Sequence, residues 1–191
     1  MRRHRIRRLT LTLTMVLAAV AVPGTAQAAP YCGLVWGSQP EVGAGAAPAD
    51  TDMVMGVRSG RHGCYDRLVV DLLGQDTTFG SYDVRYVPGV VEDGSGRTVP
   101  VRGAADLQIT VLAPAYDGDG NATFTPANRR EVVDVAGYRT FRQVAWAGSF
   151  EGSTTLALGV RARLPFRVFV LPGVARSDFG PRLVIDVAHR W

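Results

Sequence analysis

Aliphatic and polar residues recur with period two in two segments that differ at one position, Arg67-Leu-Val-Val-Asp71 within VRSGRHGCYDRLVVDL and Arg182-Leu-Val-Ile-Asp186 within GPRLVIDVAH. Leu68, Val70 and Leu72 fall on one side of the first, and Leu183, Ile185 and Val187 on one side of the second. Period two is the strand period, so both segments read as strands whose aliphatic side points into a core. A phrase repeated at both ends of a domain predicts two matched edges of one β structure. Each copy also carries an Arg and an Asp four residues apart, which period two sends to the side opposite the aliphatic residues. Two readings of that side stand: a solvated sheet face with ion pairs worth 0 to about 1 kcal/mol each, or a binding surface.

Between the copies lie further short runs with strand character: Tyr82 to Val87, Thr98 to Arg102, Leu107 to Leu112, Thr140 to Gly148, Thr154 to Ala162 and Phe166 to Leu171. Each is bounded by Gly, Pro, Asp or Asn. The turn sequences DGSG (Asp93 to Gly96), DGDGN (Asp117 to Asn121) and SFEG (Ser149 to Gly152) are expected to close hairpins. Thr125 to Tyr138 fits either a short helix or a strand through Val132 to Val135. No window of a dozen residues carries sustained helical periodicity with caps. The predicted class is all-β, a two-sheet β-sandwich or a partly open barrel with little helix. Trp146, alternating with Val144, is expected in the core.

The first residues change the picture of compartment and charge. Arg2, Arg3, Arg5, Arg7 and Arg8 precede an apolar run from Leu9 to Val22, and Ala26-Gln27-Ala28 is a small-x-small cleavage site, so residues 1–28 read as a signal peptide. Its apolar run is shorter than the roughly 20 residues of a transmembrane helix, and no later segment reaches that length. The expected organisation is a leader at 1–28, an extended Ala/Gly/Pro-rich arm at 29–52 and one β domain at 53–191. In the arm, Trp36 alone offers enough apolar area to dock firmly. Of 21 basic residues, all arginine, five leave with the leader, so the exported chain has 16 against 17 acidic residues. Nucleic-acid binding, which favours a clustered basic excess, loses its support. In an oxidising compartment Cys32 and Cys64 read as a disulfide that ties the arm to the domain.

The richest polar cluster is Arg58-Ser-Gly-Arg-His-Gly-Cys-Tyr-Asp-Arg67, read as a turn and the start of a strand. Here Tyr65 offers a stacking ring, while Arg61, His62, Asp66 and Arg67 offer hydrogen bonds to hydroxyls or a carboxylate. The alternative is a tight turn at Gly60 to Gly63, with Asp66 accepting backbone hydrogen bonds and Tyr65 covering the disulfide. No G-x-S-x-G elbow is present, and paired thiols are not nucleophiles. Asp117, Asp119 and Asn121 open like a calcium loop, but Ala122 stands where that loop has glycine and Asn128 where it has the bidentate glutamate. A β-turn fits better. No metal and no cofactor are expected.

The strings WGS (36–38), VRSGRHGCYDRLVVDL (57–72), YDVRYV (82–87), LGVRARLPFRVFVL (158–171) and PRLVIDVAH (181–189) resemble the AMIN-like domain of secreted actinobacterial proteins. That family is named for its similarity to a β-sandwich module found beside cell-wall amidases. The resemblance implies an envelope-associated module that binds peptidoglycan or a related polymer without chemistry, here with no enzymatic domain attached. The expected partners are a cell-wall polymer or an envelope protein. Two alternatives remain open: a hydrolase of the same polymers using His62 with Asp66, and an inhibitor or assembly partner that offers a sheet edge.

Overall fold

The computed structural model describes residues 31–44, 52–73, 79–175 and 180–191. The expected leader and its cleavage site lie outside these residues. The strands are β1 (Glu41–Gly43), β2 (Met53–Arg61), β3 (Tyr65–Leu73), β4 (Tyr82–Val87), β5 (Val90–Val91), β6 (Thr98–Val99), β7 (Ala105–Val111), β8 (Phe141–Phe150), β9 (Ser153–Val160), β10 (Phe166–Leu171) and β11 (Arg182–Ala188). One antiparallel sheet has the order β1-β4-β7-β9-β8, a second has the order β10-β11-β3-β2, and β5 pairs with β6. Among the described residues the one helical piece is a 3-10 turn at Tyr31–Gly33. The architecture is a β-sandwich, as the alternation predicts, and not a closed barrel.

The two larger sheets bury their aliphatic faces against each other. Leu68, Val70, Leu72, Leu183, Ile185 and Val187 meet Val84, Leu107, Ile109, Leu156 and Leu158, all buried in one cluster with Phe141 and Phe166. Full burial of such side chains stabilises by about 1.5–3 kcal/mol each. Trp146 belongs to the same cluster and packs on Phe124 at 5.6 Å between ring centroids.

The two copies of the repeated phrase are not sheet edges. They are the central strands of the four-stranded sheet, side by side and antiparallel, with Leu183 opposite Val70, Ile185 opposite Leu68 and Asp186 opposite Arg67. Both strands are flanked on each side, and Val69 and Val184 on their outer face are buried as well as the aliphatic residues of the inner face.

Several local expectations hold and several do not. The β8–β9 hairpin closes on Glu151 and Gly152, with φ of 48° and 82°, the left-handed pair of a two-residue turn. Asp93 to Gly96 closes the β5–β6 hairpin. The run expected at Thr98 to Arg102 forms a strand only at Thr98–Val99. Within the arm, β1 adds an edge strand beside β4. Thr125 to Tyr138 forms neither helix nor strand. It lies along the free side of β8, where Trp146 N–H donates to Arg129 O at 2.7 Å and Val132 N–H to Val144 O at 2.8 Å. An irregular cover of this kind blunts an exposed sheet edge. On β9, a Cβ at Gly159 would stand 2.0 Å from Arg102 O, so only glycine lets the 101–102 backbone pack there.

Candidate functional site

Alternation along β3, β11 and β10 builds one continuous outer surface on the four-stranded sheet. Because Leu68 and Val70 point inward, Tyr65 and Arg67 point outward; β11 presents Asp186, and β10 presents Arg167 and Phe169. The register sets Arg167 opposite Asp186 and Asp186 opposite Arg67, one row across three strands. Arg67 Nε and Nη2 donate to the two Asp186 oxygens at 2.6 and 2.9 Å. Arg167 Nε donates to Asp186 Oδ2 at 2.9 Å, with Nη2 at 2.7 Å from the same oxygen. Asp186 is fully buried beneath these two guanidiniums, which keep about a quarter of their own surface exposed. The hydrogen bond to Asp186 raises the Arg67 pKa further above its already high value.

Aromatic rings enclose the pair. The Arg67 guanidinium carbon lies 5.2 Å from the Tyr65 ring centre and 5.4 Å from that of Phe169. That of Arg167 lies 5.5, 5.4 and 5.1 Å from the Trp36, Tyr65 and Phe169 ring centres. His62 is exposed and stacks on Tyr65 at 4.5 Å, and Trp36 meets Tyr65 at 5.9 Å. Cations over aromatic faces contribute about 0.5–1 kcal/mol at exposed sites and more when desolvated. Trp36 arrives from the arm, which the disulfide and a backbone pair at Gly37 hold to the domain. The expected disulfide joins Cys32 to Cys64. Gly37 bonds to Phe166 in both directions at 3.0 and 2.7 Å, and Trp36 Nε1 donates to Tyr31 O at 2.9 Å.

Of the five residues singled out in the sequence, the structure brings His62, Tyr65 and Arg67 to this surface. Asp66 is separated from them and correction is needed there: it shares the inward side with Leu68 and is buried. Its Oδ2 accepts from the backbone of Thr140 at 2.5 Å and Phe141 at 3.2 Å, and its Oδ1 lies 3.1 Å from His189 Nε2. Thus Asp66 does accept backbone hydrogen bonds, but from the start of β8 and not from its own turn. A carboxylate oxygen only accepts, so Nε2 of His189 carries the hydrogen. The His62–Asp66 pairing of the hydrolase alternative does not form, because the two side chains occupy opposite faces and the partner of Asp66 is His189. Arg61, opposite Asp66 in register, turns the same way and reaches the Tyr138 ring at 6.0 Å. Gly60 is the penultimate residue of β2, so the turn is 62–64 and not 60–63.

Sequence reading overlooked Arg167, Phe169 and the His189 partnership. The signal was the parity of each strand: Arg167 and Phe169 alternate with Phe166, Val168 and Val170, and His189 follows Leu183, Ile185 and Val187 in phase. The calcium-like loop folds on itself, with Asp117 accepting from Asp119 N, Asn121 N and Asn121 Nδ2 at 3.0, 2.8 and 3.0 Å. These bonds, that to the Asn121 side chain first, hold the Asp117 carboxyl below its ordinary range. The loop makes a single bridge, Tyr116 to Ala122, and no strand hairpin. Among the described residues no group of three His, Cys, Asp or Glu side chains converges as metal ligands, and no helix is long and apolar enough to cross a membrane.

No match to a curated protein or to a solved structure was found. The family model of the AMIN-like domain matches residues 52–189, nearly the whole of the sandwich, and this family suggests a module associated with the cell wall outside the cytoplasm. With its two sheets, its disulfide and this match across most of its length, the chain belongs to the AMIN-like domain family.

Proposed function

We propose that the protein is an exported, non-catalytic envelope module that binds a cell-wall glycan, peptidoglycan in the first instance, on the outer face of its four-stranded sheet. The supporting observation is the sharing of one buried carboxylate, Asp186, by two guanidiniums that remain partly exposed. Two cations on one anion leave a net positive charge, suited to the carboxylates of muramyl sugars and their stem peptides. Around it, Trp36, Tyr65 and His62 offer ring surface to the C–H faces of sugars, a polar and aromatic surface on a rigid sheet. The leader read at residues 1–28 and the disulfide both support a place outside the cytoplasm.

Retention of the full chain on purified, insoluble cell wall tests this. The reading expects the protein in the pellet, and expects the double variant Trp36→Ala, Tyr65→Ala to move to the supernatant while keeping its far-ultraviolet circular dichroism. A wild-type protein that stays in solution defeats the glycan reading. A double variant retained as well as the wild type defeats the assignment to this face.

A further inference from the structure

Away from that face, four open hollows adjoin one another along the irregular segment that covers β8. The first, about 450 Å³, lies among Glu92, Tyr116, Phe124, Arg129, Trp146 and Phe150. The second, about 440 Å³, shares Glu92, Arg129 and Trp146 with it and adds Arg97 and Arg130. The third, about 500 Å³, shares Pro100 and Arg130 with the second. The fourth, about 640 Å³, shares Arg102 and Glu131 with the third and ends on Tyr138, Phe141 and Arg142. Neighbours that share wall residues form one row. None of Trp36, Tyr65, Arg67 or Arg167 lines it.

Charged residues are shared at every boundary between neighbours. Glu92 and Arg129, 2.8 Å apart, stand between the first and second hollows. Arg130 stands between the second and third, and the pair Arg102–Glu131, at 2.5 Å, between the third and fourth. Each hollow has the volume of a small-ligand site, and four of similar size in series suit a chain of repeating units better than one compact molecule.

Charge and ring chemistry narrow the occupant. The walls carry five arginines (Arg97, Arg102, Arg129, Arg130, Arg142) against four acids (Glu92, Asp93, Glu131, Asp134). Burial pushes the Asp93 carboxyl upward. Glu92 and Glu131 are engaged by Arg97, Arg129 and Arg102. Among the described residues Arg130 and Arg142 have no carboxylate within ion-pair distance, and Arg142 donates instead to the carbonyls of Tyr138, Arg139 and Phe141. The surplus favours an anion. The acids, which only accept, favour an occupant with hydroxyl donors, which a bare polyphosphate lacks. Half-exposed Phe150 at one end and part-buried Tyr138 at the other offer ring surface that suits sugars.

We infer that this row is a groove for an extended polyuronate, a polysaccharide with a carboxylate on each sugar, and not for the peptidoglycan of the sheet face, with successive sugars in successive hollows and Arg130 reading a carboxylate midway. It does not rest on the sheet-face reading above and is tested separately. The full chain is titrated with oligogalacturonates from the disaccharide to roughly an octamer, and with inorganic polyphosphate of similar length.

The groove requires affinity to rise about tenfold or more with length up to the span of the four hollows. It also requires Arg130→Glu to cost the longest oligomer about tenfold, and Phe150→Ala to weaken it as well. Both positions are exposed, so these variants keep the fold. Trp36→Ala with Tyr65→Ala should leave this affinity unchanged, which separates the groove from the sheet face. Absent binding, affinity independent of length, or an unaffected Arg130→Glu variant overturns the groove. Polyphosphate binding as tightly, with the same dependence on Arg130, overturns the polysaccharide assignment in favour of simple polyanion attraction.

Discussion

Arg67 and Asp186 stand 119 residues apart and meet through hydrogen bonds of 2.6 and 2.9 Å, because two copies of one five-residue phrase run antiparallel beside each other. The same register sets Arg182 opposite Asp71, yet the second pair does not close in the same way. Asp71 is taken by Arg58 of β2 at 2.8 and 3.0 Å, and among the described residues Arg182 Nε is buried without a hydrogen-bond partner. The vacated symmetry falls to β10, whose Arg167 joins Asp186 as its second cation.

That asymmetry separates two carboxylates of similar sequence context. Asp186→Ala leaves two partly buried guanidiniums without their shared counter-ion and should cost about 3 kcal/mol in urea-induced unfolding. Asp71→Ala breaks a more exposed pair and should cost no more than about 1 kcal/mol. Equal costs would mean that the buried row contributes no more than a surface ion pair.

The Cys32–Cys64 bridge holds the arm that carries Trp36, with a sequence separation of 32 residues. Replacing both cysteines by serine should lower stability by roughly 3–4 kcal/mol in the chain-entropy model. It should also loosen Trp36 from Tyr65 and Arg167, shifting part of the tryptophan emission to the red. Unchanged emission after complete reduction would show that the arm docks without the bridge.

Glu92 accepts hydrogen bonds from Ser95 and Arg97, which lower its pKa to about 2. A carboxylate with a depressed folded pKa stabilises the fold above its unfolded value near 4.5, and that contribution is lost as pH falls from there through about 2. Carbon-detected nuclear magnetic resonance should place the Glu92 midpoint near 2, and Ser95→Ala should move it upward. A midpoint at the ordinary glutamate value would contradict the Glu92–Ser95–Arg97 arrangement.

At the other end of the pH scale, Tyr86 donates to Leu164 O at 2.8 Å and accepts from Leu164 N at 3.1 Å, while burial pushes its hydroxyl up to about 12. The unfolded phenol ionises near 10, so stability is unaffected below that pH and falls as pH rises from 10 toward 12. Tyr86→Phe should cost about 1–3 kcal/mol at neutral pH by leaving both Leu164 groups unpaired. Part of the alkaline loss should disappear with it. An alkaline profile identical in the two proteins would remove Tyr86 from this role.

Sequence alternation made much of the sandwich legible. At Tyr82–Val87, Phe166–Leu171 and Arg182–Ala188 the runs read from sequence coincide with the strands. β2 escaped because Gly56, Ser59 and Gly60 give it little strand character of its own; pairing with β3 supplies the conformation. The segment 125–138 escaped because its partner is the edge of β8, a contact that no local pattern encodes.

The candidate surface was half legible. Tyr65 and Arg67 follow from the parity of β3, and the same parity sends Asp66 inward beside Leu68. Grouping residues by nearness along the chain obscured that split. Register brings Asp186 to Arg67 across 119 residues and Arg167 beside them, and the disulfide, with a separation of 32, brings in the arm that carries Trp36.

The most direct test of the sheet-face account is nitrogen-15 nuclear magnetic resonance of the indole and guanidinium N–H groups during titration with a soluble disaccharide-peptide fragment of the cell wall. The account predicts saturable shifts of Trp36 Nε1 and of Arg67 and Arg167 Nε, all lost in the Trp36→Ala, Tyr65→Ala variant. Signals from these three residues that stay fixed through saturation, while the fragment binds elsewhere or not at all, would contradict it.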